Sequence, residues 1–413
     1  MKNYKILLIH SLPPKKFRFK GVEEVELLFK RFYDPKYILE HNFFVSPTKA
    51  IKNYDFDIII LTSTFLERIS HEKTYERILK KYSFLEKKKS FKIGLPQDDY
   101  WGQNVRDKWY SKNLNLIVSV FDKNQWPIIY PLSIKKNVKI IRGHTTYINS
   151  KKFRVIKNKP YNQRLNDIVY RTVGMPFFPN RYGLLKSLIG KFFLKKHNLD
   201  FKMDVSNDPK DLIYGDKWVE FLSNSKAVLG SNSGSSVILR DHSHINRLIN
   251  FKKNYDMNSL IDFEKDFFNK KDRGYELTDI SPRNIEAAMT MTLQILVEGK
   301  DGGILKKDED YFCLKEDFSN SSELIPLLKN SDRLRKITLS CFNRIKNNKS
   351  LNEKNLVDKI NNHIEIFFKK NPKKNNQSDF NNMWYNNLKN FCFSFIHHLK
   401  FLIKKIYYEF NNS

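Results

Sequence analysis

The run Ile280-Ser281-Pro282-Arg283-Asn284-Ile285-Glu286-Ala287-Ala288 holds the residue types best suited to chemistry in this chain. Ser281 suits a helix N-cap, and Pro282 suits the first helical position, where a missing N–H costs nothing. Glu286, Ala287 and Ala288 are good helix formers. A helix that starts in an open loop presents free N–H groups and the positive end of its dipole, which suits a phosphate. Arg283 adds a planar cationic fork in the first turn. Glu286, one turn in, could accept hydrogen bonds from sugar hydroxyls. An ordinary helix cap in an α/β domain has the same signature. A second anion-binding candidate is the small-residue stretch Ser231 to Ser236, with Ser231, Gly234 and Ser235, whose N–H groups could wrap a phosphate. A surface loop is the competing reading.

Alternating strands and helices must position these groups. Continuous apolar runs predict buried strands at Tyr4–His10, Asp55–Thr64, Phe91–Leu95 and Leu114–Phe121. Helical spacing predicts helices at Val22–Phe32 and Glu72–Lys87. This alternation argues for a doubly wound parallel sheet with ligands outside the strand carboxyl ends. His10-Ser11, Thr62-Ser63-Thr64 and Gln97-Asp98-Asp99 then share one rim. A second series follows: strands at Asp167–Val173, Phe201–Val205, Ala227–Gly230, Thr292–Val297 and Tyr311–Leu314, and helices at Tyr182–His197, Trp218–Leu222 and from Ser321 to Lys370. The division expected is an N-terminal domain over 1–150, a nucleotide domain over 151–370, a polar linker over 371–382 and a basic amphipathic helix over 383–413. That last helix either lies on an anionic membrane or packs on its own domain.

Composition sets bounds on partners. The 413 residues include 33 Phe and 20 Tyr and carry a formal net charge of +29. Such a charge points to acidic partners, yet no nucleic-acid-binding signature accompanies it, and nucleic acid is not an expected partner. The three cysteines are far apart and odd in number, which fits a reducing compartment. The N-terminal run is too short for a signal peptide, and no apolar stretch is long enough to span a bilayer. A cytoplasmic protein, peripheral on the inner face of the membrane, is expected.

The second half resembles a known family. Ser281 to Ala288 with the following strand through Gln294, Asp167 to Arg171, Gly215-Asp216-Lys217-Trp218, and Leu229-Gly230-Ser231 with Gly234-Ser235-Ser236 are similar to bacterial GT-B glycosyltransferases of surface polysaccharide biosynthesis, families 1 and 4 in type. Pro96-Gln97-Asp98 fits the same group, and the matching segments run from about Phe91 to Phe318. The resemblance implies two Rossmann-like doubly wound domains with a helical C-terminal extension, and no cofactor or metal. In a Glu-x7-Glu motif, Glu286 matches the second acid, which binds the donor ribose. The first, near the sugar ring, falls at Thr278, with Asp279 beside it. The diphosphate-holding pair falls at Arg171 and Lys186.

The expected activity is sugar transfer from a nucleotide-diphosphate donor to a hydroxyl of a glycan or lipid-linked acceptor. The donor phosphates would meet Ser281, Pro282, Arg283 and Asn284. Asp98 or Asp99 would serve as general base on the first domain's rim, ahead of His10 and His144. The rival is a non-catalytic nucleotide- or carbohydrate-binding protein on the same scaffold, which the missing first acid favours. A nucleic-acid-binding protein, resting on charge alone, is the third reading.

Overall fold

Ile58-Ile59-Ile60-Leu61 is apolar at every position, and a strand of that kind must be covered on both faces. The computed structural model describes residues 3–15, 18–149, 153–156, 159–172, 180–195, 201–231, 233–243 and 257–372. The chain forms two compact units: residues up to Arg142 together with those from Val357 onward, and Gly143 to Leu356.

The first unit holds a six-stranded sheet of β1 (Ile6–His10), β2 (Ile38–Asn42), β3 (Ile58–Leu61), β4 (Phe91–Gly94), β5 (Leu116–Ser119) and β6 (Lys139–Arg142), in the order β2-β1-β3-β4-β5-β6. Every pairing is parallel. The order reverses between β1 and β3, so their carboxyl ends flank the switch point where such sheets bind ligands. The strands β2 and β6 carry no continuous apolar run. In β2 the polar side chains are partnered instead: His41 Nε2 lies 3.0 Å from the Tyr82 hydroxyl, and Glu40 lies 2.9 Å from His10 Nε2. Edge strand β6 is exposed at Lys139 and half-buried elsewhere.

The second unit holds a five-stranded parallel sheet of β7 (Asn166–Arg171), β8 (Met203–Ser206), β9 (Ser225–Gly230), β12 (Leu293–Val297) and β13 (Phe312–Leu314), ordered β13-β12-β9-β7-β8. Its core packs Ile168, Tyr170, Leu229 and Ile295 against Leu185, Ile189 and Phe193 of the helix Arg181–Lys195. Here the order reverses between β7 and β9.

The helix expected over Glu72–Lys87 is two, Glu72–Lys81 and Phe84–Lys87, and the loop expected from Ser231 to Ser236 is corrected as well. The stretch from Ser233 is not a loop: β10 (Ser233–Val237) pairs antiparallel with β11 (Arg273–Asp279). Gly234 permits the pairing. Its φ is +136°, and a Cβ there would lie 1.9 Å from the Leu277 carbonyl oxygen, so only glycine allows this approach.

No helix among the described residues is long and apolar enough to cross a membrane. The expected amphipathic helix over 383–413, the linker beyond residue 372, Val173 and His197 lie outside the described residues.

Candidate functional site

The helix Pro282–Met289 leads into β12 and starts beside the carboxyl end of β7. Its start is built by local chemistry. Ser281 N–H donates to Asn284 Oδ1 at 2.8 Å, forming a capping box with Asn284 in the third position. Asn284 is itself fixed from below: its Nδ2 donates to Gln294 Oε1 at 2.6 Å, and Gln294 Nε2 donates to Cys341 Sγ at 3.2 Å. All three are buried. The first turn is therefore anchored to β12 and to the helix Ser331–Asn347.

Arg283 and Glu286 leave the same helix toward one aromatic group. The Arg283 guanidinium lies 5.6 Å from the Tyr170 ring centroid and 5.4 Å from that of Trp218, and its Nη2 donates to the Arg171 carbonyl at 3.0 Å. Trp218 Nε1 donates to Glu286 Oε2 at 2.7 Å. Tyr170 sits near the end of β7 and Trp218 in the helix Asp216–Ser223. A guanidinium lying over aromatic rings is attracted by their faces. The neighbouring end of β9 carries Ser231, whose buried hydroxyl has no hydrogen-bond partner among the described residues.

Arg171 behaves differently. Its guanidinium lies 4.6 Å from the Phe221 ring centroid, and it donates to Asp211 O, Tyr170 O, Asp204 O and Asp204 Oδ1, the last at 2.6 Å. Four of the five donors of a guanidinium are thus engaged within the protein. Lys186 is half-buried on the helix Arg181–Lys195, and its carbonyl accepts from the Tyr170 hydroxyl at 3.0 Å. The structure thus gathers Arg171, Ser281, Pro282, Arg283, Asn284 and Glu286 at the end of β7, with Ser231 at the end of β9. Ser235 is not aimed at an anion: it is fully buried in β10, with Oγ donating to Val237 O at 2.8 Å. Gly234 serves the strand pairing. Thr278 pairs with Gly234, and Asp279 is 3% exposed and bonded to His144 and Thr145.

In the first unit the adjacent Asp98 and Asp99 have opposite surroundings. Asp98 is exposed and accepts from the Tyr100 hydroxyl at 2.8 Å. Asp99 is 1% exposed and accepts from Arg106 Nη1 (2.8 Å), Tyr110 OH (2.8 Å) and Tyr130 OH (2.6 Å). His10 is also committed: Nδ1 accepts from Leu12 N–H at 3.1 Å, and Nε2 faces Glu40.

Two acids on the same rim carried no sequence signal. Buried Glu26 accepts from Ser63 Oγ, Thr64 N and Thr64 Oγ1, and from Thr62 Oγ1. Exposed Glu67 follows the helix Ser63–Leu66. Its carboxyl is raised above the ordinary range, first by desolvation on the crowded rim and then by the charge of Asp98, while Arg68 and Arg106 oppose the rise.

No family model and no curated protein matches this sequence. Solved structures do match its fold. An α-glucosyltransferase in complex with UDP and a 13-mer DNA containing an HMU base is similar over 88% of this chain and 99% of its own, at 11% identity and a TM-score of 0.52. Anabaena Alr3699/HepE in complex with UDP-glucose is similar over 88% and 100%, at 7% identity and a TM-score of 0.50. The fold shared with these proteins is GT-B, with two Rossmann-like α/β units.

Proposed function

We propose that this chain is a glycosyltransferase that moves a sugar from a nucleotide-diphosphate donor to a hydroxyl of a cell-surface glycan or lipid-linked acceptor. The observation that carries the reading is Arg283, lying over Tyr170 and Trp218 in the first turn of a helix that starts at the β7 switch point. The diphosphate is assigned to the first turn of that helix, with Arg283 as its main cation and Lys186 as the second, while Ser281 and Asn284, whose polar groups engage one another and Gln294, shape the turn. Arg171 becomes a support, because its donors are engaged on Asp204 and Asp211. Glu286, oriented by Trp218, is assigned to the donor ribose.

In the reaction the bond between the anomeric carbon and the diphosphate breaks, and the acceptor oxygen bonds that carbon. Cations at the diphosphate stabilise the leaving charge. The acceptor is assigned to the carboxyl rim of the first sheet, where exposed Asp98 is the base candidate in place of Asp99. The neighbouring α-glucosyltransferase carries DNA in its complex, so the acceptor panel includes DNA beside glycans and lipid-linked sugars.

The test is a thermal-shift screen against UDP, GDP, CMP and dTDP and their sugars. A ligand that binds only the folded state raises its melting temperature. One nucleotide should do so, and the gain should vanish in Glu286→Ala and Arg283→Ala while surviving in part in Arg171→Ala. No shift with any nucleotide would refute the donor site. A shift without nucleotide release from any sugar donor would favour the non-catalytic binding protein, the reading that Thr278 in the first acid position supports.

A further inference from the structure

Asp279 is the acid nearest the position where the family motif would place a sugar contact, yet its carboxylate is turned into the protein. Oδ1 lies 3.0 Å from His144 Nδ1, and Oδ2 accepts from Thr145 N–H at 2.8 Å. Thr145 Oγ1 in turn donates to the Ile280 carbonyl. His144 and Asp279 are both buried. The far side is closed by Gly302, whose φ is +69° and where a Cβ would lie 2.6 Å from Asp279 Oδ1. His144 Nε2 lies 2.9 Å from Ser350 Oγ. The order Ser350–His144–Asp279 is that of a nucleophilic triad, but Ser350 Oγ donates to Asn348 Oδ1 at 2.7 Å, so its proton is directed away from the histidine. The line is a clamp.

The clamp closes on residues 279 and 280, immediately before the Ser281 N-cap. Two anchors thus hold the start of this helix: Asn284–Gln294 from inside and Asp279–His144–Thr145 from the preceding strand. We infer that Asp279 is a positioning residue for the donor site, holding the Ile280–Ser281 peptide against His144 and Thr145 so that the first turn of the helix is aimed at the diphosphate. This rests on the donor-site reading above for its ligand, and on the clamp geometry alone for its structural half. Misplacement of a binding group by about 1 Å is enough to weaken a site severely.

The chemistry of the clamp distinguishes positioning from direct contact. In Asp279→Asn, Oδ1 can still accept from Thr145 N–H, while Nδ2 can donate to His144 Nδ1. The imidazole then carries its proton on Nε2 and donates to Ser350. Asparagine thus preserves the geometry and removes the charge, whereas alanine removes both.

The experiment uses the full chain with two readouts, hydrogen–deuterium exchange over residues 280–289 and calorimetric titration with UDP. Asp279→Ala and His144→Ala should speed exchange across 280–286, and Asp279→Asn should leave it as in the parent. UDP affinity should fall about tenfold or more in Asp279→Ala and stay within about threefold of the parent in Asp279→Asn. The double variant His144→Ala/Asp279→Ala should be no worse than about threefold below Asp279→Ala, because residues in one network do not act additively. Unchanged exchange in Asp279→Ala would overturn the clamp, whether or not UDP binds. An asparagine variant as weak for UDP as the alanine variant, with parent-like exchange, would show that the carboxylate acts by its charge and would overturn the positioning role. If the parent protein fails to bind UDP, GDP, CMP or dTDP, the donor reading and this role fall together, while the exchange data still decide the clamp.

Discussion

Replacing Asp99 should destabilise the first unit and leave the chemistry of the folded protein in place. Asp99 and Arg106 are each 1% exposed, and their ion pair is surrounded by the Tyr110 and Tyr130 hydroxyls. Burial, and then the Asp99 charge, push both phenols well above their ordinary range, so they remain protonated donors. Arg106 Nε donates to Ser70 Oγ at 2.6 Å, while Nη2 has no hydrogen-bond partner among the described residues. Asp99→Asn keeps one oxygen to accept from Arg106 and Tyr110 but sets an amide NH2 against the Tyr130 hydroxyl and leaves the buried guanidinium without its counter-charge. Breaking a buried pair from one side costs about 3–5 kcal/mol. At about 2–4 °C per kcal/mol for a unit of this size, the melting transition should drop by roughly 6–20 °C. Asp99→Leu/Arg106→Met removes both charges, and should cost less than Asp99→Asn despite leaving two tyrosines short of an acceptor. Urea unfolding followed by tryptophan fluorescence, with Trp101 and Trp109 beside the network, measures the parent and the two variants. Sugar transfer assayed well below the transition measures the chemistry. If Asp99→Asn unfolds within about 1 kcal/mol of the parent and yet abolishes transfer, the buried-network reasoning is wrong and Asp99 is a reacting group.

Two further outcomes follow from the same kind of reasoning. Burial alone would raise the Glu40 carboxyl, but hydrogen bonds and charge from His10 and Lys30 outweigh it and lower it to about 2. A carboxyl depressed in the folded state contributes stability above its unfolded pKa, near 4.3, and loses that contribution as pH falls toward 2. Glu40→Gln should therefore flatten the acid limb of the stability profile between about pH 4.5 and 2, by at most about 3 kcal/mol, as read by urea midpoints at each pH; an unchanged limb would refute the assignment. Gly234→Ala drives a methyl group into the Leu277 carbonyl, so β10 and β11 must part. The expected cost is about 1–3 kcal/mol, read as faster amide exchange in 273–279 than in the parent, and parent-like protection there would contradict the close approach.

What was legible in the sequence and what was not divide along a physical line. Strands such as Ile6–His10, Ile58–Leu61 and Leu293–Val297 are buried on both faces, so a continuous apolar run announces them. The pair β10 and β11 relies on a glycine that lets two backbones touch, and small polar residues of that kind look like a loop. Strand β2 buries His41 and half-buries Glu40, which becomes intelligible only once Tyr82, His10 and Lys30 are brought in from elsewhere. The helix Pro282–Met289 shows the same division within a few residues. Its Ser281–Asn284 cap is a spacing of three within one segment, so the sequence displays it. Which arginine has donors to spare is not local. Arg171 has the better sequence position, but Tyr170, Asp204 and Asp211 engage four of its donors, while Arg283 lies over two rings and gives a bond from Nη2 to the Arg171 carbonyl. Asp98 and Asp99 are separated in the same way, one exposed and one enclosed by Arg106 and two tyrosines. In a chain with a net charge of +29 there are many cations near any site, and position alone selects among them poorly. The useful criterion is whether a charged group's bonding capacity is already used inside the fold. Applied to the proposed site, it favours Arg283 over Arg171 for the diphosphate and Asp98 over Asp99 as the base candidate, and it sets the Asp279 carboxylate among the groups proposed to hold the start of the helix.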